Sequence, residues 1–509
     1  EIRNCDWSSD VCSSDLLVVT GTGVLTNSTG TGTLRGNLSL LNATITGSTI
    51  NNAGSIGGTG TIAAQINNTG WIFATNGTLW AQSATFTNAG TIGARSSNAI
   101  LDVQVPGAGQ PLINTGTITM AGGSLTLNSQ NTFNSGSVIS NRTGAVVVGV
   151  GNVVPTVVNS GTIMAANPIS GLNVFSVGLP DVSSGTIGAS NGAILNVTIS
   201  GGSVQTFNNG GTISMQGGGL TISNGAPGSI TNISWITGAG TISPFINNVS
   251  NIVAQTNNGV SSLLVSLLGG TNSATGSLRA GLGATLVLSN NAVVNLGSIT
   301  PDGANGGTIT TFAGGAITNR GLITRNSGVS AGATLAFNAF VQNDNGGVIT
   351  VTNGIIAFND INGLGNTGVI NITSSGTLQS NSSNSWSNAG TIDLRDGVLR
   401  TGGFTNAAVA ALFTNTGTVT GFGTIIGGGA YGTTGAGYDK SFVNLGTVLA
   451  TNPLGTAAST LTIDTGGATS GNGIQNVGNM IVSSNATLNL VRSGRWRPLR
   501  AAIDPAASR

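Results

Sequence analysis

The residues whose types and spacing come closest to acid–base chemistry lie in the segment IDLRDGVLR. It holds Asp393, Arg395, Asp396 and Arg400, and a polysaccharide lyase or hydrolase needs converging carboxylates, often with a basic neighbour. In a strand, however, Asp393 and Arg395 alternate with apolar residues and would both face solvent. We therefore interpret the segment as a solvated ion pair. Other charged residues expected near it, on preceding turns of the chain, are Asp344, Asp360, Arg320 and Arg325.

Other catalytic and ligand-binding groups are scarce. The chain has no His, and its two Cys residues, Cys5 and Cys12, lie at one end. The remainder can therefore form neither a Ser-His-Asp or Cys-His arrangement nor a zinc site. The glycine-rich segment near Gly427 lacks the Lys of a phosphate loop, and a GGxGxD-type calcium repeat is also missing. We expect no enzymatic activity, no cofactor and no metal.

Three large aromatic residues, Trp71, Phe73 and Trp80, are the candidates for ligand contact. In NTGWIFATNGTLW, Ile72 takes an inward position, so Trp71 and Phe73 should point outward, and Trp80 follows an inward Leu. Exposed aromatic rings stack on sugars or on a protein partner. Coverage by a corner loop or by a neighbouring subunit is the alternative. Trp386, in contrast, is expected to pack inside.

One short motif, Asn-x-Gly-x-(Ile/Val/Leu/Met), defines the elements that must position these residues. Two variants, SSGTI and GAGTI, begin at Ser183 and Gly238. Successive copies are about 24 residues apart, which is the length of one turn of a parallel β-helix. The full copies begin at Asn52, Asn68, Asn88, Asn114, Asn134, Asn159, Asn209, Asn305, Asn319, Asn345, Asn366, Asn388, Asn415, Asn444 and Asn476.

Each copy is typical of a corner followed by a strand. Asn and Gly adopt positive φ most easily, so Asn-x-Gly should turn the chain sharply. The next residues, usually Thr and Ile, should then point outward and inward respectively. Stacked turns would place Ile on Ile inside, and the Asn residues above one another in a hydrogen-bonded corner ladder. A second strand signal, G-x-L-x-L, follows most copies.

Composition supports an all-β interpretation. Of the 509 residues, 83 are Gly and only 6% are charged, yet 39% are hydrophobic, so the chain can bury a core of small and β-branched side chains. A single turn cannot bury its apolar stripe alone, whereas its neighbours above and below can cover it. The sequence therefore predicts a right-handed parallel β-helix, or β-solenoid, of roughly 17–20 irregular rungs.

Both ends of the sequence break this pattern. We interpret residues 1–16 as a non-native sequencing scar, residues 17–490 as the β-helix rod, and residues 491–509 as a frameshifted or truncated tail. On this interpretation the sequence is a fragment. A segment that anchors the rod to a cell surface would then lie in a part missing from this sequence.

The charge balance argues against several classes of partner. The net charge is +1 at pH 7, which gives no electrostatic basis for binding nucleic acid. No apolar run reaches the roughly 18 residues of a membrane span, so we expect no direct span in this sequence. Host-cell or matrix glycans or proteins remain as expected partners.

The units FTNAGTI at Phe86 and VVNSGTI at Val157, each followed by G-x-L-x-L, resemble the repeats of filamentous-haemagglutinin-type adhesins and autotransporter passenger domains. The resemblance covers roughly residues 18–490. It implies a bacterial surface or secreted protein that acts as an extracellular structural and adhesive rod. Two alternatives stay open: a carbohydrate-active β-helix enzyme and a phage-type spike, which requires symmetric subunit contacts.

Overall fold

The computed structural model describes residues 16–491 apart from several internal ranges. It is all-β, with 0% helix and 75% strand. The internal ranges outside the description are 27–30, 84–85, 105–111, 129–137, 142–145, 154–155, 160–161, 166–171, 178–181, 201–205, 224–228, 258, 304–305, 312–314, 327–333, 361, 382–385, 402–412, 428–441, 453–458 and 466–473.

The chain divides into two compact units, Glu1–Ile246 with Asn257–Val260, and Asn247–Thr256 with Ser261–Arg509. The strands of the first unit, of which the last extends two residues into the second, are β1 (Leu16–Thr20), β2 (Val24–Thr26), β3 (Thr31–Leu34), β4 (Asn37–Asn52), β5 (Ser55–Asn68), β6 (Trp71–Gln82), β7 (Phe86–Asn88), β8 (Thr91–Ala94), β9 (Ile100–Gln104), β10 (Leu112–Asn114), β11 (Thr117–Asn128), β12 (Val138–Asn141), β13 (Val146–Val153), β14 (Thr156–Asn159), β15 (Thr162–Ala165), β16 (Leu172–Val177), β17 (Val182–Ser183), β18 (Thr186–Ser190), β19 (Ile194–Ser200), β20 (Thr206–Asn209), β21 (Thr212–Ser223), β22 (Ser229–Asn232) and β23 (Trp235–Asn248).

The strands of the second unit are β24 (Asn251–Ala254), β25 (Ser262–Asn272), β26 (Ser277–Ala280), β27 (Thr285–Leu288), β28 (Ala292–Asn295), β29 (Ser298–Pro301), β30 (Thr308–Thr311), β31 (Ala316–Asn319), β32 (Leu322–Asn326), β33 (Thr334–Phe337), β34 (Phe340–Asn343), β35 (Val348–Phe358), β36 (Leu364–Asn366), β37 (Val369–Ser380), β38 (Trp386–Asn388), β39 (Thr391–Arg400), β40 (Phe413–Asn415), β41 (Thr418–Ile426), β42 (Phe442–Asn444), β43 (Thr447–Ala450), β44 (Ser459–Asp464), β45 (Ile474–Asn476), β46 (Asn479–Val482) and β47 (Ala486–Val491).

Each unit is a stack of parallel coils, and a coil has three strand positions. The coil made of β8, β9 and β10 shows them most clearly: β8 and β9 both pair in parallel with the long strand β11, whereas β10 pairs with β12. In coils such as the one beginning with β11, the first two positions are joined through a bend into one long strand. The prediction of a parallel β-solenoid is confirmed.

The coils number about 15, fewer than the 17–20 predicted, and two copies of the motif do not mark a motif corner. The variant at Gly238 lies inside β23, at the bend of a coil. The copy at Asn305 leads into β30, which pairs with β27 and β33 at the second strand position. The right-handed sense of the coiling stays a prediction.

The core of each coil follows from strand alternation. Along β5 every second side chain is buried, and the parallel register places the inward residues of successive coils directly above one another. Ile56, Ile72, Ile92 and Ile118 form one such column, and each has 0% of its surface exposed. Burying a side chain of this size stabilises the fold by about 1.5–3 kcal/mol. The column therefore supplies the main cohesion between neighbouring coils.

The motif glycine is required for a different reason from the one predicted. In the full copies of the motif that lie among the described residues, neither the Asn nor the motif Gly has positive φ. Instead, a Cβ atom on Gly90 would lie 2.1 Å from the carbonyl oxygen of Gly70, and one on Gly70 would lie 2.0 Å from that of Gly54. Successive corners thus approach so closely that no side chain fits between them. Positive φ occurs at the second corner, for example at Asn76 (φ 57°) and Asp396 (φ 64°).

Replacing Gly90 by Ala should lower the free energy of unfolding by about 2 kcal/mol or more, because the backbone of the adjacent corner must move to admit the methyl group. Gly219→Ala is the matched control, since its Cβ would meet nothing closer than Ile194 Cγ1 at 3.7 Å, and it should not destabilise. Denaturant unfolding followed by circular dichroism measures both. Equal effects of the two substitutions would contradict the close-approach explanation.

Candidate functional site

A ladder of buried asparagines runs along the motif corner of each unit. Within the first unit, the Nδ2 atom of Asn88 donates a hydrogen bond to Oδ1 of Asn114, 2.7 Å away, and Oδ1 of Asn88 accepts one from Asn68, 2.6 Å away. Asn88 Nδ2 also donates to the carbonyl oxygen of Thr117, so each amide joins neighbouring coils through both side-chain and backbone contacts. Asn88 has no exposed surface. Hydrogen bonding is what allows so polar a group to be buried there.

The second unit repeats this arrangement over more coils. Its hydrogen bonds between Asn side chains measure 2.6–2.8 Å. The sequence separation of bonded partners varies from 16 residues in the first unit to 32 in the second. The ladder therefore holds its spacing while the coils between its members vary in length. The partners in order are Asn248, Asn272, Asn295, Asn319, Asn343, Asn366, Asn388, Asn415, Asn444 and Asn476.

The structure places most of the predicted corner residues in these ladders. Those joined to another ladder residue by a side-chain hydrogen bond are Asn52, Asn68, Asn88, Asn114, Asn209, Asn319, Asn366, Asn388, Asn415, Asn444 and Asn476. Asn159 stands opposite Asn141 in the backbone register. Asn134 and Asn305 lie outside the described residues. The assignment of Asn345 was wrong: it is exposed in a turn, and Asn343 takes the ladder position.

Besides Asn343, four ladder residues were not identified by the motif: Asn232, Asn248, Asn272 and Asn295. Asn295 begins NLGSI, which fits the motif and was overlooked, whereas the segments after Asn232 and Asn248 lack its Gly. After Asn272, two extra residues precede the next strand. A buried apolar residue two positions before the Asn marks three of these corners: Ile230, Ile246 and Val293. That signal could have nominated them, but it does not identify them alone, because Leu288 and Val351 precede Asn290 and Asn353 in the same way, and neither of these is a ladder residue.

Two of the three aromatic candidates form a cluster with an arginine on the outer face of the first unit. We call Trp71, Phe73 and Arg95 the aromatic–arginine cluster. The rings of Trp71 and Phe73 lie 5.4 Å apart at 57°. The guanidinium of Arg95 lies 3.9 Å from the centre of the Phe73 ring and 5.7 Å from that of Trp71, both within the range of cation–π attraction. Trp71 remains 51% exposed.

Phe73 was expected to be accessible, and that expectation was wrong. Its ring is only 4% exposed, because Arg95 lies across its face and Trp71 lies beside it. The residues that flank it in the register, Gly57 and Gly93, have no side chains. They leave room for the ring at the outer surface of the sheet. Arg95 is therefore the member of the cluster that sequence analysis missed, because it is about 20 residues distant in the chain.

Trp80 lies apart from this cluster. It is 39% exposed and occupies the second strand position, beyond the bend at Asn76. In the register it stands between Thr61 and Asp102. Within the described part of the chain, no ring contact joins Trp80 to Trp71. The three aromatics of one coil thus provide two separate exposed surfaces rather than a single patch.

Four charged residues of the second unit form two separate ion pairs. Arg395 is bound to Asp393 at 2.9 Å, and Arg320 to Asp344 at 2.9 Å. The hydrogen bond from Arg320, assisted by the backbone N–H of Asn345, holds the pKa of the Asp344 carboxyl below its ordinary value. A general acid needs a carboxyl whose pKa is raised, so Asp344 is adapted to remain ionised.

Arg325 does not join these charged residues, contrary to the expectation. It points inward from β32, stands opposite Val351 in the register, and has no exposed surface. Burial lowers the pKa of its guanidinium, because desolvation disfavours the charged form. The alternation of β32 is responsible: Ile323 is inward, so the residue two positions later is inward as well.

Searches for other types of site and for relatives gave no positive result. Among the described residues, no group of three or more His, Cys, Asp or Glu residues is arranged to hold a metal ion. The same residues include no helix with the length and apolar character needed to cross a membrane. No protein-family profile, curated protein or solved structure matches the chain. The function must therefore be inferred from the arrangement of the described residues.

Replacing Asn88 by Ala should lower the free energy of unfolding by roughly 2–4 kcal/mol, because Asn114 loses its donor and Asn68 one acceptor inside the corner. The matched control is Asn67→Ala. Asn67 donates to Asn51 over 3.0 Å on the exposed side of the preceding coil, and its loss should change stability by less than about 0.5 kcal/mol. Denaturant unfolding distinguishes the two, and a similar small change in both variants would refute the importance of burial.

Replacing Arg320 by Met should raise the pKa of Asp344 towards its ordinary value, since the pKa-lowering hydrogen bond is lost. A depressed folded-state pKa means that the pair stabilises the fold above the unfolded-state pKa. That contribution is lost as the pH falls through the lower folded-state pKa. Carboxyl ¹³C NMR titration measures the change, with Arg395→Met as the control. An unchanged Asp344 titration in Arg320→Met would contradict the assignment.

Proposed function

We propose that this chain is part of an extracellular structural and adhesive rod of a bacterial surface or secreted protein, and that it acts without catalysis. The observation that carries the proposal is the corner ladder. Within each unit it passes from coil to coil through buried amide hydrogen bonds at nearly constant length. A stack in which every coil makes the same contacts with its neighbours can be extended simply by repetition.

The outer surface supports the adhesive part of the proposal. The outward position after the motif glycine is often Thr, as at Thr91, Thr117 and Thr391, so this row of the surface is largely polar and uncharged. Against this background, Trp71 and Trp80 are half-exposed or nearly so. Exposed aromatic side chains at interfaces offer a large apolar contact area together with a polar group. Host-cell or matrix glycans and proteins are the partners that such a surface suits.

Composition supports a place outside the cell. The whole chain has only 15 Lys and Arg residues in 509, so trypsin-like proteases would find few cleavage sites. Both cysteines precede the described coils, and the coils therefore need no disulfide to assemble. A protein exported in an unfolded state can acquire such a fold after export, because contacts between neighbouring coils provide its cohesion.

Beads coated with the full chain should bind host cells or immobilised matrix glycans above beads coated with albumin. The double variant Trp71→Ala, Trp80→Ala should weaken this binding by about tenfold or more, as expected for aromatic contacts at the centre of an interface. Trp235→Ala is the control, because Trp235 is also exposed, at 43%, but was not assigned to the contact surface. A wild-type chain that binds no better than albumin would disprove the adhesive role. Depolymerisation of a polysaccharide would instead favour a carbohydrate-active enzyme.

A further inference from the structure

We infer that the aromatic–arginine cluster is a binding site for an acidic sugar, specifically a hexuronate ring within an oligosaccharide. The inference rests on the proposed adhesive function and specifies its ligand. It assigns separate roles to the side chains of Trp71 and Arg95, which are distant in the sequence and meet on adjacent coils. Trp71 provides a stacking surface for the ring, and Arg95 binds the carboxylate.

Trp71 has the exposure and the support that a stacking surface needs. About half of its surface is accessible, while the Phe73 ring lies beside it, with the ring centres 5.4 Å apart. In the register Trp71 is flanked by Ser55 and Thr91, both partly exposed. A pyranose has an apolar C–H face that can lie against an indole, while its hydroxyl groups can bond to flanking Ser and Thr side chains.

Arg95 has the position and the exposure that a carboxylate site needs. Its guanidinium carbon lies 3.9 Å from the centre of the Phe73 ring, and the residue is exposed; a guanidinium stacked on an aromatic face keeps the N–H donors of its edge for other partners. A carboxylate can accept two parallel hydrogen bonds from that edge. In the described part of the chain, no carboxylate forms an ion pair with Arg95, whereas Arg320 and Arg395 are each bound to an Asp.

A second copy of the same local sequence shows that the fold does not require this cluster. TIGARSSNAILDV from Thr91 is repeated as TIGASNGAILNV from Thr186. In the first copy, Thr91 and Gly93 stand beside Trp71 and Phe73. Each copy pairs with the preceding coil in the same backbone register. The two copies differ in the side chains that this register brings together.

In the second copy, Ser190 replaces Arg95, and Thr162 and Met164 replace the two aromatics. Ser190 is buried, and its hydroxyl donates to the carbonyl oxygen of Ala165. The arginine and the aromatics are thus present together in one copy and absent together in the other. Such joint replacement at outward-facing strand positions favours a shared role in binding.

Isothermal titration calorimetry with tetragalacturonate and with its carboxyl-reduced, neutral counterpart tests the assignment. We expect the full chain to bind the acidic oligosaccharide about tenfold or more tightly than the neutral one, as a charge-assisted pair predicts. Arg95→Ser introduces the residue of the second copy and should abolish this preference. Trp71→Ala should weaken binding of both oligosaccharides, and Trp235→Ala should change neither. Added salt should weaken binding of the acid form by wild type but not by Arg95→Ser.

Circular dichroism and thermal unfolding establish that each variant is folded. If Trp71→Ala does not fold, Trp71→Phe keeps a stacking ring and should retain the preference for the acid. Retention of that preference by Arg95→Ser, no binding of tetragalacturonate in the millimolar range, or tighter binding of a sulfated oligosaccharide would each overturn the inference. Cell adhesion that survives both Trp71→Ala and Arg95→Ser would reject this site while leaving the adhesive function intact. Absence of wild-type adhesion would reject the function while leaving the sugar site measurable.

Discussion

The fold of each unit depends on one requirement: an amide buried at every motif corner must find its partners on the neighbouring coil. An asparagine side chain placed away from water without hydrogen bonds would destabilise the fold. Asn88 avoids this cost by bonding both to Asn68 and to Asn114. Because an asparagine both donates and accepts, one residue type can occupy every position of the ladder. The same bonds fix the register, so the inward Ile columns and the outward Thr residues follow from the corner.

Local periodicity was sufficient to predict the architecture. Alternation of Thr and Ile after each corner identified the inward column that includes Ile72 and Ile92, and the recurrence of the motif identified parallel coils. The physical role of the motif Gly was not predictable in the same way, since it depends on how closely Gly90 approaches the carbonyl of Gly70 on another coil. Asn343 was missed in favour of Asn345 because two possible corners overlap in QNDNGGVI. Only pairing with Asn319 and Asn366 decides between them.

The candidate site was only partly predictable for a related reason. Strand alternation correctly indicates that Trp71 faces outward, but it contains no information about what covers a side chain. Phe73 faces outward and is nevertheless buried, because Arg95 reaches it from the next coil. Arg325 illustrates the opposite case, in which a charged residue follows the alternation into the core. In a stack of coils, the environment of a side chain is determined by residues about 20 to 30 positions distant, which a local pattern does not include.

The close contact between successive glycine corners also affects how such a protein can change in length during evolution. Where glycine corners follow one another, as at Gly54, Gly70, Gly90 and Gly116, each presents the same shape above and below, so removing or duplicating one whole coil there brings together two surfaces that already fit. Recombination between similar gene segments would therefore produce longer and shorter variants without a new interface. Insertions within a coil are tolerated only where they leave that seam undisturbed, and a binding site formed by two adjacent coils can be duplicated or moved along the stack when both coils are inherited together.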